Sequence, residues 1–282
     1  MPMKISLSDH KYHSKKTGTF LCGAALLAAA SGAHGTILVD DNFTNSSGSS
    51  VNMENTQAIG VGTYERVQGS GNLTATTISG FGSGNVLQLG NNANTYFRAF
   101  NGDATLKLSN LTPGQTLSLS FDFRSTGDFG TNALNFGFGF LNATNSIAYV
   151  NLNAQADSPG SEFRFRTGSP NMTSSGTQIG TGWSNVTSPA TNYNFELIIT
   201  RMEADYSLQY FVDGAEISSA TSALGATSDL DITGIGFRWG EGPGTSTNID
   251  NVIVEVIPEP SSLLLLGGSL SCGLLLRRRK RQ

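Results

Sequence analysis

The stretch Phe195-Glu196-Leu197-Ile198-Ile199-Thr200-Arg201, followed by Met202-Glu203-Ala204-Asp205 and then Tyr206-Ser207-Leu208-Gln209-Tyr210-Phe211-Val212-Asp213-Gly214, decides the fold. Phe195, Leu197 and Ile199 alternate with Glu196, Ile198 and Thr200, and Tyr206, Leu208, Tyr210 and Val212 alternate with Ser207, Gln209 and Phe211. Period-2 alternation is the signature of a half-buried strand, because successive side chains leave a strand on opposite faces. The short acidic segment between the two runs and the Asp-Gly after them predict tight antiparallel turns.

The same period recurs on both sides of this hairpin. Leu117, Leu119, Phe121 and Phe123 alternate with Ser118, Ser120 and Asp122, and Leu134, Phe136, Phe138 and Phe140 alternate with Asn135, Gly137 and Gly139. Phe163 and Phe165 alternate with Arg164 and Arg166, and further runs are Ile235/Phe237/Trp239 and Val252/Val254/Val256. No amphipathic helical window interrupts them, and segments rich in Gly, Asn, Ser and Thr, such as 45–50 and 168–182, read as turns. Many short strands without a linker predict an all-β chain folded as a single antiparallel β-sandwich. Sixteen phenylalanines supply its core, so disulfides are not needed.

The ends of the 282-residue chain differ in composition from its middle. Lys4, Lys11, Lys15 and Lys16 precede an apolar run, Thr17 to Ala30, followed by Ser31-Gly32-Ala33. A positive segment, a short apolar helix and a small-x-small site predict a secretory signal peptide over residues 1–33. At the other end Pro258-Glu259-Pro260 precedes an apolar stretch, Ser261 to Leu276, and then Arg277-Arg278-Arg279-Lys280-Arg281. Sixteen residues of helix reach about 24 Å, short against a hydrocarbon core of about 30 Å. The basic cluster stays cytoplasmic, which puts the body outside, the same topology the signal peptide demands.

Residues 258–282, with the triplet, the apolar helix and the basic cluster in that order, resemble the PEP-CTERM sorting signal of Gram-negative bacteria. The resemblance implies processing by a membrane protease-transpeptidase, exosortase, and transient membrane association through the apolar helix. It also implies a destination in the cell envelope or extracellular matrix, often alongside exopolysaccharide. The body over residues 34–257, through its Tyr206–Gly214 ending and its Asp40-Asp41-Asn42-Phe43 and Ile249-Asp250-Asn251-Val252 segments, resembles the concanavalin A-like and laminin-G-like jelly rolls. Those two segments are similar to the paired terminal strands of such domains.

Partitioning the composition narrows the chemistry. The whole chain carries a formal charge of -4, but nine of its 17 basic residues lie in the two ends. The body holds eight basic and nineteen acidic residues, a net of -11, which disfavours nucleic acid and anionic membranes as partners. Cys22 and Cys272 lie in the ends, as do His10 and His13, and His34 sits at the cut. This leaves no internal histidine or cysteine for Ser-His-Asp or Cys-His catalysis or for a usual zinc site. Carboxylates and oxygen-bound cations remain.

Four expectations about sites follow. Glu203 and Asp205 begin a Glu-x-Asp-x-x-Glu pattern that resembles jelly-roll glucanases, but Leu208 stands at the third acidic position, so they read as solvated turn residues. Asp40, Asp41 and Asp250, on adjacent terminal strands, are candidate ligands for a structural Ca2+. Trp183 in a Gly-rich segment and Trp239 at a strand end are candidate sugar-stacking aromatics. Arg164 and Arg166 are their polar companions. With no complete catalytic motif, the sequence predicts a non-enzymatic structural or polysaccharide-binding module; the alternative is a carboxylate-dependent glycosidase or polysaccharide lyase.

Overall fold

The computed structural model describes residues 35–259 except 45, 47, 51, 56–61, 71, 90–93, 126–134, 143–144, 154–161, 170–171, 173–174, 185–190 and 241–245. The expected signal helix, the apolar stretch Ser261–Leu276 and the cluster Arg277–Arg281 lie outside the described residues, as do Leu134 and Pro260. Among the described residues no helix is long and apolar enough to cross a membrane. Residues Gly35–Glu259 form one compact unit.

The body is a two-sheet antiparallel sandwich, as the alternation predicts. In chain order the strands are β1 (Thr36–Asp41), β2 (Ser49–Ser50), β3 (Asn52–Asn55), β4 (Gly62–Gln68), β5 (Leu73–Ile78) and β6 (Phe81–Leu89). They continue with β7 (Asn94–Ala99), β8 (Thr116–Ser125), β9 (Asn135–Asn142), β10 (Asn145–Asn153), β11 (Glu162–Thr167) and β12 (Thr177–Ser184). The last five are β13 (Tyr193–Arg201), β14 (Tyr206–Val212), β15 (Ala215–Ser222), β16 (Gly234–Gly240) and β17 (Thr247–Ile257). The first sheet runs β15-β14-β13-β8-β17-β6-β5-β2, with β1 added beside β17; the second runs β12-β11-β10-β9-β16-β7-β4-β3.

The decisive hairpin forms as read. Phe195 pairs with Val212, Leu197 with Tyr210 and Ile199 with Leu208. The turn into β15 uses Asp213 and Gly214, at φ 51 and 76. Two consecutive positive φ values are the mirror-image turn that suits the right-handed strand twist, and Asp-Gly tolerates them. The terminal segments also pair: Asp40 faces Ile253 and Asp41 faces Val252 across β1 and β17.

Eleven of the sixteen phenylalanines belong to the buried core, so aromatic packing joins the layers. Phe121 of β8 meets Phe138 of β9 edge-on at 4.8 Å and Phe237 of β16 at 5.1 Å. Edge-to-face pairs of this kind add about 0.5–1.5 kcal/mol beyond burial. One polar clamp also crosses the core. Arg98 of β7, 2% exposed, donates from Nε to Asp41 Oδ2 of β1 at 3.1 Å, and the Tyr64 hydroxyl of β4 donates to the same oxygen at 2.9 Å. A second guanidinium nitrogen reaches Asn101 Oδ1 at 2.8 Å, and a third donates to the Ala99 carbonyl. A buried ion pair is tolerable only when its remaining groups are hydrogen-bonded, and here they are.

One expected turn is instead a strand. Residues 177–184 form β12 on the edge of the second sheet, paired with β11 from Thr167↔Thr177 to Glu162↔Ser184. Backbone pairing with a single neighbour holds this Gly- and Thr-rich segment, whose side chains give no alternation to read.

Candidate functional site

The outer face of the second sheet gathers the polar side chains that the sandwich does not need for packing. Phe136, Phe138, Phe163, Phe165, Phe237 and Trp239 point into the core, so their neighbours point outward. The registers then place outward residues in rows across the strands. One row runs Arg166–Tyr149–Gly139–Gly236–Phe97, from β11 to β7. The next runs Arg164–Asn151–Gly137–Arg238–Thr95, with Gln68 of β4 beyond it.

The first row is covered by a small apolar cluster separate from the main core, made of Leu141, Tyr149 and Met172 with Phe97 packed beside them. Met172 arrives from the β11–β12 connection in a left-handed conformation, φ 52, that a long side chain seldom adopts. A Cβ on Gly236 would stand 2.9 Å from its terminal methyl, so glycine there makes room for it. Three hydrogen bonds hold this connection: Met172 N–H to Ser146 Oγ at 3.1 Å, Asn151 Nδ2–H to the Met172 carbonyl at 3.0 Å, and an Arg166 N–H to the Gly176 carbonyl at 2.6 Å.

The second row remains polar. Arg164 donates to Gln178 Oε1 at 3.2 Å, and Arg238 donates to Gln68 Oε1 and Thr95 Oγ1, each at 3.2 Å. The buried atoms without a hydrogen-bond partner on this face include Asn151 Oδ1 in this row and Arg166 Nε in the first. Burial lowers the affinity of the Arg166 and Arg238 guanidinium groups for their protons, and the Tyr149 hydroxyl near both opposes this. Arg164 adds to the lowering at Arg166. Burial also raises the Tyr149 hydroxyl, against hydrogen bonds from Ser169 and Gly176 and the charge of Arg166 and Arg238. Met172 also closes over Gly137 and Asn151 at the centre of this row, so Arg164, Arg238 and Gln68 are its groups left to hydrogen-bond an electron-rich ligand.

Placed on this structure, the residues singled out in the sequence separate. Arg164 and Arg166 lie together on the face just described, as their alternation implies. Trp239 does not: it is 0% exposed, in the main core, edge-on to Phe136 at 6.0 Å. Its strand, β16, lies between β9 and β7 instead of ending at a rim, which removes it as a sugar-stacking aromatic. The backbone of Trp183 lies in β12 opposite Phe163, and its side chain is outside the described residues.

The three aspartates expected to share a Ca2+ are not assembled into one site. The Asp41 carboxylate points inward and is bound by Arg98 and Tyr64, whereas Asp40, its neighbour on the strand, points outward. Asp250, 2% exposed, accepts the Asn251 N–H at Oδ1 and lies across from Asp122 of β8. Among the described residues no three acidic, histidine or cysteine side chains are grouped to hold a metal. Glu203 and Asp205 occupy the β13–β14 turn, closed by the Met202 N–H on the Asp205 carbonyl at 2.8 Å.

Asp250 is nevertheless a strongly perturbed carboxyl. Burial pushes it up to about 6, aided by the charge of Asp122 and opposed by the Asn251 N–H. Asp122 accepts from Asn194 at 2.9 Å and from Asn251 at 2.7 Å. Asn151, Tyr149 and Arg238 were not singled out in the sequence. Arg238 carries the signal that Arg164 carries, an arginine between two inward aromatics; Asn151 carries none.

At the chain end, Pro258 is half-buried and Glu259 exposed, directly after β17. Glu259 lies beside Gly114, where a Cβ would come within 2.7 Å of its side chain. Residues 256–280 match the PEP-CTERM protein-sorting motif, so the match begins inside the last strand of the sandwich. That motif marks an exported protein sorted to the cell envelope or surface by exosortase.

No curated protein matches the chain by sequence. Among solved structures it is similar to a chain of botulinum neurotoxin type C, whose cell entry is described as dependent on two ganglioside molecules. That likeness has 14% identity and a TM-score of 0.50, over 84% of this chain and 51% of the other. It is also similar to the binding domain of botulinum neurotoxin DC in complex with SialylT, with 14% identity and a TM-score of 0.50, over 83% and 51%. Lectin II from Ulex europaeus aligns at 9% identity and a TM-score of 0.43, over 67% and 91%. The chain spans about half the length of the neurotoxin chains it matches. The fold is an antiparallel jelly-roll β-sandwich.

Proposed function

We propose that the mature protein is a non-enzymatic, polysaccharide-binding component of the cell envelope or extracellular matrix, released to its destination by exosortase at the Pro258-Glu259-Pro260 triplet. One observation carries this reading: in the second row of the outer face Arg164, Arg238 and Gln68 present hydrogen-bonding side chains at the surface of rigid strands, with Asn151 and Thr95 buried between them. Sites built on strands hold their groups more precisely than sites on loops, and sugars are recognised by such fixed planar donors and acceptors. The jelly-roll fold of the body is compatible with that role.

The alternative, a carboxylate-dependent glycosidase or lyase, is favoured by one observation, the raised Asp250 opposite Asp122. A carboxyl held near neutrality beside a second one is the pairing that general acid catalysis uses. Against it, a Cβ on Gly82 would stand 2.6 Å from Asp250 Oδ2, leaving little room for a sugar ring.

The test is a polysaccharide binding panel run beside a degradation screen on the full chain. Retention on at least one polysaccharide with no release of reducing or unsaturated ends is expected. Degradation that disappears in Asp250→Asn would overturn the reading in favour of the enzyme.

A further inference from the structure

The last strand hands the chain to the sorting triplet without a spacer. Ile257 is still paired with Thr116 of β8, and Pro258, half-buried, follows it directly. The side chain of Glu259 lies over the turn before β8, where a Cβ on Gly114 would stand 2.7 Å from Glu259 Cγ and 3.1 Å from its carboxyl carbon. That turn is fixed from two sides. The Gln115 N–H donates to the Thr112 carbonyl at 2.9 Å, and the Gly114 N–H donates to the carbonyl of Arg201, at the end of β13, at 2.7 Å. Pro113 followed by Gly114 at φ 90 matches a type II turn, which takes glycine or asparagine at its third residue. Glycine at 114 thus serves the turn and leaves room for Glu259.

The same end of the sandwich carries the most exposed apolar side chains. Among the described residues these are Met202, 48% exposed, and Ile37, 46%. Met202 follows Arg201 into the β13–β14 turn, and Ile37 pairs with Glu255, two residues before the end of β17. In the order β13-β8-β17, with β1 beside β17, they flank the point where the chain leaves the sheet. Glu203, Asp205, Glu255 and Glu259 lie at this end too, which disfavours an anionic lipid surface as the cover for the apolar pair. Only Pro260 separates Glu259 from the apolar stretch that begins at Ser261. Two residue steps reach at most about 7 Å, less than the width of one helix, about 10–12 Å. An enzyme that holds the apolar stretch and acts at the triplet therefore meets the folded body.

We propose that this end of the sandwich, the 112–115 turn with Met202 and Ile37 at its sides, is a docking surface for the membrane-embedded processing enzyme, which takes Glu259 as seated on Gly114. Gly114 is then a positioning residue for the triplet. A seated triplet binds without the ordering cost of a loose one, and an exposed methionine adapts to a partner's surface. The inference rests on the release at the triplet proposed above and adds that the folded body is part of what is recognised.

The test follows conversion of the full chain to its shortened form in membranes that hold the enzyme, at equal amounts of exported precursor, with membranes lacking the enzyme as the blank. Three changes are compared with the native chain: a six-residue Gly-Ser spacer between Ile257 and Pro258, Gly114→Asn, and Met202→Ser. Asparagine keeps the turn and puts a Cβ where Glu259 lies. Thermal melting checks that each chain folds, with midpoints within about 2 °C of native expected. The spacer chain is expected to convert about fivefold more slowly, Gly114→Asn by a similar factor, and the two combined no more slowly than either alone. Met202→Ser is expected to slow conversion about threefold, equally in membranes and in a detergent extract of them. Should Gly114→Asn melt early, the spacer chain decides alone, because it leaves the body unchanged.

A spacer chain that converts at the native rate or faster would overturn this inference and leave release at the triplet standing. Slowing by Gly114→Asn that adds to the slowing by the spacer would overturn the seat on Gly114. Slowing by Met202→Ser confined to membranes would assign the apolar pair to lipid and overturn the docking surface. No conversion of the native chain would remove both readings.

Discussion

The two sheets share one core and differ in what they show to solvent. The outer face of the first carries Asp40, Asp122, Glu196 and Glu255 beside a buried Asp250 and one arginine, Arg124, with serines 118 and 120 between them. The outer face of the second carries Arg164 and Arg238 over a buried Arg166, with glycines between them and Glu65 beyond Phe97. Inward positions in both sheets are aromatic or aliphatic and interdigitate, so they are interchangeable in kind. The difference teaches that packing accounts for half of each strand and leaves the other half free to carry function. The two halves are independent because adjacent strand residues leave on opposite sides.

Four substitutions test how far that independence goes. The largest effect is expected from Arg98→Ala, which removes the polar clamp between the sheets and leaves Asp41 buried without its cation. A loss of about 3–5 kcal/mol, read by chemical denaturation, is expected. A loss under about 1 kcal/mol would mean the sheets are joined by the aromatics alone. Next, Met172→Ala empties the small apolar cluster on the second sheet and is expected to cost about 2–4 kcal/mol. It should also weaken glycan binding, since the side chain anchors the segment that lies over Gly137, between Arg164 and Arg238 in the second row.

Asp250→Asn acts on the first sheet with the opposite sign. The native carboxyl titrates at about 6 against about 3.9 in an unfolded chain. Between those values the folded protein holds the proton more tightly, so its stability falls as pH rises through that window and stays low above it. The asparagine variant is therefore expected to melt higher than native at pH 7, by about 4 °C. The two should converge near pH 4, and a variant that melts lower at pH 7 would contradict the burial assigned to Asp250. Glu196→Gln should do the same more weakly, because burial and then Glu255 raise that carboxyl on a half-buried side chain. Its gain in melting temperature at pH 7 is expected to be about 1–2 °C.

How much of this was legible in the sequence follows the same division. Alternation over residues 116–124, 195–199 and 206–212 reads directly as strands, and it also places Arg164 and Arg166 on one outward face. It fails where side chains carry no contrast, as in β12, whose Thr-Gln-Ile-Gly-Thr-Gly run is ordered by its neighbour's backbone. It misplaced Trp239, since a tryptophan before a glycine looks like a rim residue until β7 is known to flank it. The pairing of Asp41 with Arg98 spans 57 positions and two sheets, which no local pattern encodes. For that reason the carboxylate read as a cation ligand is bound to an arginine instead.

The central claim is that the second sheet's outer face is the ligand surface and the first sheet's is not. Amide hydrogen exchange of the full chain, with and without the polysaccharide that binds most tightly, addresses this face by face. Slowed exchange in β10, β11 and β16, with β8, β13 and β14 unchanged, is the predicted result. Protection centred on β8 and β13, around Asp122 and Glu196, would contradict it.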